Sequence, residues 1–447
     1  MLDIGQIHRI EYELENDRST HVVIAEAPGR IHFLGEIAPT GSSTIAPTGS
    51  SAIAPAAFTP NSLTNTGSTS NSSTNTTVNS STHLKNGVYA GQSEIETGFF
   101  LSAAIDRYIH VAVSSRKDNS FRFFAADLKE RKRSTLVNLK YKREDRWANY
   151  LKPAIYLFTE LGYPMKGLNF TFCGNIPQHI ALASSTAIET AAATALRSLL
   201  RVQMNDMLMA EKLKEAHLAI FGNSTPLADY LVTLCARKDQ FLVVDSSGEE
   251  IKLIKSPFSR FRFMLVDSRV PRMGTESEIS SRRADILKGL DHLTQKREGT
   301  SFKDFASSDL LEVLGNFPEQ IRRRSMHIVE EIRRVNDAAD ALERSDLASF
   351  AKIIYHSHES LRDLYETSCP EIDWLVKRAQ EIEGAAGSRM TGPGFGGCTY
   401  TIIRRELVDE YKKRLEEYER IFGFRPVIYE VKLATKARIV PEKRVYA

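Results

Sequence analysis

Two spacings of apolar residues recur along most of this chain. His21–Ala27 and Tyr108–Ser114 are short apolar or alternating runs rich in Val and Ile, and this pattern predicts β-strands. From Ser184 to Leu200 the apolar residues recur every three or four positions behind two serines, which predicts an amphipathic helix. The first half of the chain therefore mixes strands with helices.

The second half shows the same mixture. Amphipathic helices are predicted between Ser280 and Glu381, and the remaining elements are the strands Phe241–Asp245, Phe263–Asp267, Thr399–Arg404 and Val427–Leu433 and the helix Glu406–Ile421. Strands and helices interspersed in both halves predict an α+β fold. A length of 447 residues exceeds one compact core and predicts two domains.

A polar segment interrupts this pattern between residues 37 and 86. It opens with a short repeat that begins at Ile37, Ile45 and Ile53, and 19 of the 24 residues from Pro60 to His83 are Ser, Thr or Asn. Such a segment buries too little apolar surface to offset the entropy lost on ordering. We interpret it as a disordered insertion in the N-terminal domain (residues 1–36 and 87–255), followed by a C-terminal domain (residues 256–447).

Charge and composition narrow the class of partner. The 59 basic and 56 acidic residues leave a net charge of +3, which argues against a nucleic-acid or membrane partner. The N-terminus resembles no signal peptide, and no apolar run approaches membrane-spanning length. Four scattered cysteines without metal-ligand spacing are typical of reduced thiols. We expect a cytoplasmic protein.

Two segments of the first half have the composition of a ligand site. The segment Ala27–Glu36 places a Pro-Gly pair before an apolar run, which by itself predicts the start of a strand with Arg30 as a surface charge. The segment Pro177–Glu189 leads from a strand into a helix whose start carries Ser184 and Ser185. Free backbone N–H groups at a helix start bind phosphate, but the local sequence alone favours ordinary capping by one of these serines.

A glycine-rich segment follows near the C-terminus. Within Gly387–Cys398, four of the six residues from 392 to 397 are glycine, namely Gly392, Gly394, Gly396 and Gly397. Such a backbone bends tightly and exposes its amides. Because we expect a helix before it and a strand after it, we interpret the segment as a loop that faces phosphate or substrate.

In this order and spacing, the three segments resemble the signature motifs of the GHMP kinases, and most closely those of the galactokinases. The resemblance extends to Phe99–Val113, to the stretch from Val266 to Arg283 and to His358–Asp373, so that it covers most of the chain outside the insertion. It implies two α+β lobes with the active site in the cleft between them, and a monomer.

The resemblance also implies an activity, the transfer of the γ-phosphoryl group of ATP to the C1 hydroxyl of a sugar. In the family pattern, Asp229 matches the base that receives the hydroxyl proton, and Arg30 matches the arginine that orients this base and offsets negative charge. Glu36 matches a glutamate that holds sugar hydroxyls. The phosphate-binding positions of the second and third motifs match Ser184, Ser185, Thr186, Gly392, Gly394, Gly396 and Gly397, and Ser185 also matches a ligand of Mg²⁺.

The chain departs from this pattern at several of the same positions. His179 and Ala181 stand where the family has glycines, and a Cβ there hinders close approach to phosphate. His217 replaces a glutamate that helps to hold magnesium, which prefers oxygen ligands. Other replaced positions are Pro226, Tyr230 and Ile279.

Two functions therefore remain open. Arg30, Asp229, Glu36 and the complete third motif favour a working sugar kinase. The altered phosphate, metal and sugar positions favour a non-catalytic relative that senses or presents a sugar or a nucleotide. A GHMP kinase for a different small molecule is a third, less favoured possibility.

If the family pattern resumes just before Gly98, Glu94 occupies the position of the family's sugar-binding aspartate, one methylene longer. We then expect Glu94→Ala to abolish sugar binding, because a carboxylate that accepts hydrogen bonds from sugar hydroxyls would be lost. A binding titration with galactose measures this, and an unchanged affinity would retire the assignment.

Overall fold

The strands lie in two sheets in the computed structural model, which describes residues 3–17, 19–35, 37–39, 96–178, 180–245, 251–271, 275–313, 315 and 317–442. The strands in chain order are β1 Val22–Leu34, β2 Ile37–Pro39, β3 Glu96–Ser115, β4 Ser120–Ala125, β5 Glu130–Thr135, β6 Leu168–Gly174, β7 Gln240–Asp245, β8 Ile251–Lys255, β9 Phe261–Asp267, β10 Ala385–Thr391, β11 Cys398–Arg404, β12 Val427–Val431 and β13 Arg438–Val440.

Helices cover these sheets. The α-helices in chain order are α1 Ile4–Glu11, α2 Lys152–Glu160, α3 Ser184–Leu199, α4 Asp206–Phe221, α5 Leu227–Cys235, α6 Thr275–Lys296, α7 Ser307–Val313, α8 Glu319–Glu343, α9 Leu347–Asp363, α10 Pro370–Gln380, α11 Val408–Leu415 and α12 Glu417–Phe422. Short 3₁₀ helices span Leu136–Asn138, Phe302–Asp304 and Arg405–Leu407, and two more lie within Arg143–Leu151 on either side of the non-helical Arg146.

Within the described residues, the larger sheet has nine strands and the smaller has four. The main path of the larger sheet runs β13-β1-β3-β6-β4-β5, with β2 and β7 joined to β3 and β8 joined to β7. The smaller sheet runs β10-β11-β9-β12, with every pair antiparallel. Strands and helices are mixed in both halves of the chain, which confirms the predicted α+β class.

The sequence predictions fail at three local points. Pro28 and Gly29 lie inside β1 at a register shift against β3, not at the start of a strand, because a residue without a backbone N–H fits an irregular pairing. The segment before the glycines is strand β10 rather than a helix, because it pairs with β11 as a hairpin. The single helix predicted over Glu406–Ile421 is divided between α11 and α12.

Of the predicted insertion, the structure describes only residues 37–39. The described residues belong to one compact unit formed by residues 1–41 and 95–447. Residues 37–39, which we assigned to the insertion, form β2 and pair with residues 96–98 of β3. Residues 40–86 of the insertion lie outside the described residues, and the domain boundary at residue 255 stays a prediction.

One buried aromatic side chain joins the two sheets. Phe33 on β1 has no exposed surface, and its ring makes edge contacts with Phe241 of the larger sheet and with Phe263 and Tyr400 of the smaller. The Tyr400 hydroxyl donates a hydrogen bond to the Phe33 carbonyl at 2.7 Å. Side chains of both sheets therefore meet in one core around β1. Among the described residues, no helix is both long enough and apolar enough to cross a bilayer.

Replacing Phe33 with Ala should lower the free energy of unfolding by about 3–5 kcal/mol, because it leaves a cavity where the two sheets meet. Urea denaturation measures the change. Leu311→Ala, at a side chain with 61% of its surface exposed, is the control and should change stability by less than about 0.5 kcal/mol. A Phe33→Ala protein as stable as the control would contradict this description of the core.

Candidate active site

The centre of the site is an ion pair between Arg30 and Asp229. Arg30 lies on β1 just after the Pro28–Gly29 irregularity, and Asp229 lies in the first turn of α5. The guanidinium donates from Nε to Oδ1 at 2.7 Å and from Nη2 to Oδ2 at 2.9 Å. Only 9% and 7% of the two side chains are exposed, so water screens the pair little. Two parallel hydrogen bonds fix the planes of both groups.

A histidine completes the surroundings of this carboxylate. His32 is close to Asp229 Oδ1 through Nε2 at 2.8 Å and to the Ser102 hydroxyl through Nδ1 at 2.6 Å. Its ring stacks on Phe100 with centroids 4.5 Å apart. Because an ionised carboxylate only accepts hydrogen bonds, Nε2 carries a proton and donates it to Asp229. In the neutral ring Nδ1 then accepts from the Ser102 hydroxyl.

The electrostatics favour a negative Asp229 beside a neutral His32. Burial alone would raise the pKa of Asp229, but the Arg30 charge and the hydrogen bonds from His32 and Arg30 outweigh it and hold the pKa well below its usual range. Burial, together with the positive charge of Arg30, lowers the pKa of His32 to about 4, against the opposing effect of Asp229. Near neutral pH the site therefore contains one cation, one anion and a neutral imidazole.

Arg30 also holds the loop that leads into α3. Its Nη1 donates to the Ala181 carbonyl at 2.8 Å, and its backbone N–H donates to the Leu182 carbonyl at 3.1 Å. Ala181 and Ala183 both have left-handed backbone conformations, with φ of +61° and +59°. Such a conformation costs a residue with a Cβ about 1–2 kcal/mol, so the surrounding contacts must maintain it.

The start of α3 differs from the capped helix that the local sequence favours. The cap position is Ala183, without a side-chain hydrogen bond to the backbone of the first turn, and Ser184 and Ser185 are the first two helical residues. The capping interpretation is therefore wrong. It fails because the left-handed Ala183 takes the cap position, which leaves the first-turn N–H groups without a side-chain partner.

These groups border a cavity of about 740 Å³. Its polar lining includes Arg30, Asp229, Ser184 and Ser185. Its apolar and aromatic lining includes Ile109, Leu128, Trp147, Tyr150, Phe172 and Ile188. A concave site with an apolar wall and a few convergent polar groups is typical of small-molecule binding. Thr186, in contrast, is buried and does not line the cavity.

The glycine-rich segment reaches this region through its first glycine. Gly392 has a φ of +94°, and a Cβ placed on it would lie 2.3 Å from the Ala181 Cβ, so the two loops touch there. The corresponding positions on Gly394 and Gly396 face Thr367 and Val270. Gly397 accepts a hydrogen bond from the Ser268 N–H through its carbonyl. Gly392 therefore contacts the second motif. The other three glycines contact residues of the C-terminal half of the chain.

Two of the departures from the family pattern meet on one buried carboxylate. Glu189 on α3 accepts hydrogen bonds from His217 Nδ1 at 2.8 Å and from the Tyr230 hydroxyl at 2.5 Å, one on each oxygen. Glu189 has no exposed surface, and the His217 ring stacks on Phe221. Burial raises the pKa of Glu189, although both hydrogen bonds oppose the shift. His217 and Tyr230 thus form one satisfied cluster that joins α3, α4 and α5.

The arrangement does not fit a magnesium ion held by protein carboxylates. Magnesium is usually bound by one or two carboxylates together with substrate phosphates. Asp229 is already paired with the Arg30 cation, both oxygens of the fully buried Glu189 are hydrogen-bonded inside the protein, and Asp127 at the cavity accepts through Oδ2 from the Gly174 N–H. Across the described ranges, no three His, Cys, Asp or Glu side chains converge as a metal site. The predicted ligand Ser185 contributes a single hydroxyl.

The outcome for the sequence-predicted residues is mixed. Arg30, Asp229, Ser184 and Ser185 lie around one cavity, whereas Glu36, Glu94 and His179 fall outside the described residues. The sequence reasoning missed His32 altogether. A signal was present, because residues two apart on a strand face the same side, and His32 stands two residues after Arg30.

The sequence of this chain matches two family models and is similar to those of known proteins. Residues 149–237 match the family described as GHMP kinases N terminal domain, and residues 338–420 match GHMP kinases C terminal. The chain is 36% identical over 348 residues to a protein of Treponema pallidum named "Putative galactokinase", covering 77% of this chain and 87% of that one. It is 31% identical over 340 residues to the galactokinase of Roseiflexus sp., covering 75% and 86%.

Solved structures show the same fold. The galactokinase of Lactococcus lactis, crystallised with galactose, superposes with a TM-score of 0.79 at 20% identity, covering 97% of this chain and 99% of that one. The mevalonate kinase of Methanococcus jannaschii gives a TM-score of 0.51 at 19% identity, covering 75% and 92%.

The neutral His32 predicts how stability depends on pH. The pKa of His32 is lowered to about 4 in the folded protein, from 6.5 in the unfolded chain. The unfolded state therefore binds more protons between these two pH values. Stability should therefore fall as pH drops from about 6.5 to about 4, with this group contributing up to about 1.4 kcal/mol per pH unit.

Urea denaturation across this pH range measures the slope. His32→Gln should be less stable than the wild type at pH 7 and should show a shallower pH dependence. The exposed His356 provides the control as His356→Gln, which should follow the wild type. Equal slopes in wild type and His32→Gln would contradict a neutral buried imidazole.

Proposed function

Because the chain belongs to the GHMP kinase family, we propose that it is an ATP-dependent kinase that phosphorylates the C1 hydroxyl of galactose or of a closely related sugar. The bidentate pair of Arg30 with Asp229 at the cavity is the observation that carries this proposal. It supplies an oriented carboxylate and a fixed cation beside the start of α3. Phosphoryl transfer needs this combination of positioning and charge stabilisation.

In the proposed reaction, a hydroxyl oxygen of the sugar attacks the γ-phosphorus of ATP. The bond from that phosphorus to the bridging oxygen breaks, and ADP leaves with the electron pair. The hydroxyl proton passes to Asp229. Arg30 offsets the negative charge on the transferring group and keeps the carboxylate in place, while His32 holds Oδ1 from the other side.

The low pKa of Asp229 is compatible with this role. In a loose transition state the attacking oxygen forms little bond before the leaving group departs, so it keeps its proton until late. A hydroxyl oxygen becomes strongly acidic once it bonds to phosphorus. A weak, well-oriented base is then sufficient, and orientation matters more than basicity.

The lining of the cavity supports ATP as the phosphoryl donor. The unsatisfied N–H groups at the start of α3, with the Ser184 and Ser185 hydroxyls, suit the phosphates. The aromatic wall near Trp147 and Phe172 suits the flat, apolar base. Because Asp229 is paired with the Arg30 cation and Glu189 is buried with His217 and Tyr230, we assign no step of the reaction to magnesium.

The second candidate function is a non-catalytic sensor of sugar or nucleotide. The Cβ of Ala181 favours it, because this atom touches Gly392 at the point where the two phosphate-binding loops meet. The Glu189–His217–Tyr230 cluster favours it as well, since Glu189 is unavailable to a metal ion. Such a protein would bind ligand without turnover.

Asp229→Asn separates the two functions. We expect the variant to retain ATP affinity and to lose turnover by about 10²- to 10⁴-fold, because the proton acceptor and the charge opposite Arg30 are removed. A coupled ADP-release assay with galactose measures turnover, and calorimetry measures ATP binding. Asp291→Asn, at an exposed position on α6, is the control.

The outcomes are distinct. Wild-type turnover that disappears in Asp229→Asn supports the kinase. Turnover that survives in this variant would refute the assignment of the base. ATP binding by the wild type without turnover of any sugar would favour the sensor.

A further inference from the structure

Two contacts of different kinds hold the indole ring of Trp147, which lines the cavity. The ring packs against Phe172 of β6, with centroids 5.2 Å apart and planes inclined at 55°. Its Nε1–H donates a hydrogen bond to Glu130 Oε2 at 2.7 Å. Ring packing alone allows the indole to slide and turn, whereas a hydrogen bond at its edge fixes the direction of the N–H. Together the two contacts specify one orientation of the indole.

Glu130 is attached to a fixed backbone. It is the first residue of β5 and pairs with Ala125, the last residue of β4. The N–H of Ala126 donates to the Phe172 carbonyl at 2.9 Å. The hairpin of β4 and β5 is therefore joined to the same residue that packs against the indole, and the carboxylate reaches Trp147 from a strand rather than from a loop.

The residue before Trp147 has a strained backbone. Arg146 has a φ of +46° and a ψ of −116° and interrupts the short 3₁₀ helices. A residue with a Cβ adopts such a conformation only where its surroundings maintain it. Glu130 Oε1 accepts from Arg146 Nη1 at 3.1 Å, and Asn149 Nδ2 donates to the Arg146 carbonyl at 3.1 Å. The two oxygens of Glu130 thus hold two consecutive residues that both line the cavity.

The two hydrogen bonds of Glu130 differ in strength. The Arg146 side chain is 64% exposed and that of Glu130 is 35% exposed, so water screens the ion pair, and exposed pairs of this kind contribute little. The bond from Trp147 is shorter and part-buried, and a donor to an ionised acceptor forms one of the stronger hydrogen bonds. The bond to the indole is therefore the one that fixes the wall of the cavity.

We propose that Glu130 is a positioning residue for the nucleotide base, acting through its hydrogen bond to the Trp147 indole. This inference rests on the proposed function, in which the aromatic wall takes the base of ATP. Glu130 itself is not among the residues that line the cavity. An indole without this bond samples other orientations, and only the fraction with the correct orientation binds the base. The effect should fall on ligands that carry a base and spare ligands that carry phosphates alone.

A purely structural role for Glu130 makes a different prediction. If the residue only stabilised the hairpin of β4 and β5, its loss would loosen that side of the cavity and weaken both classes of ligand alike. A role through its charge would be lost equally in Glu130→Ala and Glu130→Gln. A role through the indole would be lost in Glu130→Ala alone, because glutamine keeps an oxygen that accepts from the Trp147 N–H.

The test compares Glu130→Ala and Glu130→Gln with the control Glu144→Ala. Glu144 lies three residues before Trp147, is exposed and does not line the cavity. Calorimetry on the full-length chain measures the dissociation constants of a non-hydrolysable ATP analogue and of inorganic tripolyphosphate. The fluorescence anisotropy of Trp147 is measured in a Trp374→Phe background, because the chain contains two tryptophans.

We expect Glu130→Ala to raise the dissociation constant of the ATP analogue about three- to tenfold, as when one hydrogen bond that selects the binding-competent form is lost. The constant for tripolyphosphate should change less than about twofold. Glu130→Gln and Glu144→Ala should stay within about twofold of the wild type for both ligands. The anisotropy of Trp147 should fall in Glu130→Ala alone, because the indole gains freedom.

Three results would overturn the proposal. They are an unchanged affinity of Glu130→Ala for the ATP analogue, an equal weakening for both ligands, and an equal loss in Glu130→Ala and Glu130→Gln. If tripolyphosphate binds too weakly to measure, Glu130→Ala is added to Trp147→Phe, which has no indole N–H. The added change should then weaken binding of the ATP analogue no further, and a further loss as large as in the wild-type background would refute action through Trp147.

Failure of this inference differs from failure of the proposed function. A wild type that binds the ATP analogue but turns over no sugar would contradict the kinase, whereas a selective loss in Glu130→Ala would still support the inference. Sugar turnover by the wild type together with an unchanged affinity of Glu130→Ala for the ATP analogue would contradict the inference alone. A wild type that binds no ATP analogue would overturn both.

Discussion

The bidentate hydrogen bond between Arg30 and Asp229 is the interaction on which the rest of the site depends. It joins β1 to the first turn of α5, and the same guanidinium holds the loop before α3. A buried charge is tolerated only when it is paired, and removing one partner of such a pair typically costs about 3–5 kcal/mol. The pair therefore connects β1 to α5 and also places a cation and an anion at the cavity. A hydrogen bond from His32 further fixes the position of the carboxylate.

Contacts to both the side chains and the backbone of β1 fix its position. On one side its side chains Arg30 and His32 reach Asp229. On the other side its backbone receives hydrogen bonds from Thr391 and Tyr400, and Phe33 packs into the core shared by both sheets. A close-packed interior transmits displacement from one contact to the next. The geometry of the site thus depends on residues more than 350 positions away along the chain.

The departures from the family pattern acquire a different meaning in three dimensions. His217 and Tyr230 are separate substitutions in the sequence, but they hydrogen-bond the two oxygens of one buried glutamate. A satisfied polar cluster is stable, whereas a half-satisfied one is costly. The cluster joins the helix that carries the serines to the helix that carries Asp229. The same substitutions that argue against a protein-held metal ion therefore help to hold the site together.

By itself, the sequence determined the α+β class, most of the strands and helices and the family, and it singled out Arg30 and Asp229 as candidate site residues, because local periodicity and short motifs carry that information. Tertiary structure decided the rest. It showed that Arg30 and Asp229, 199 residues apart, form a bidentate pair, and it placed His32 beside the same carboxylate. It also showed that Ser184 and Ser185 do not cap α3, and that a strand precedes the glycines. These features depend on contacts between distant segments and on left-handed residues such as Ala183. The spacing of residues in the sequence shows neither kind of feature.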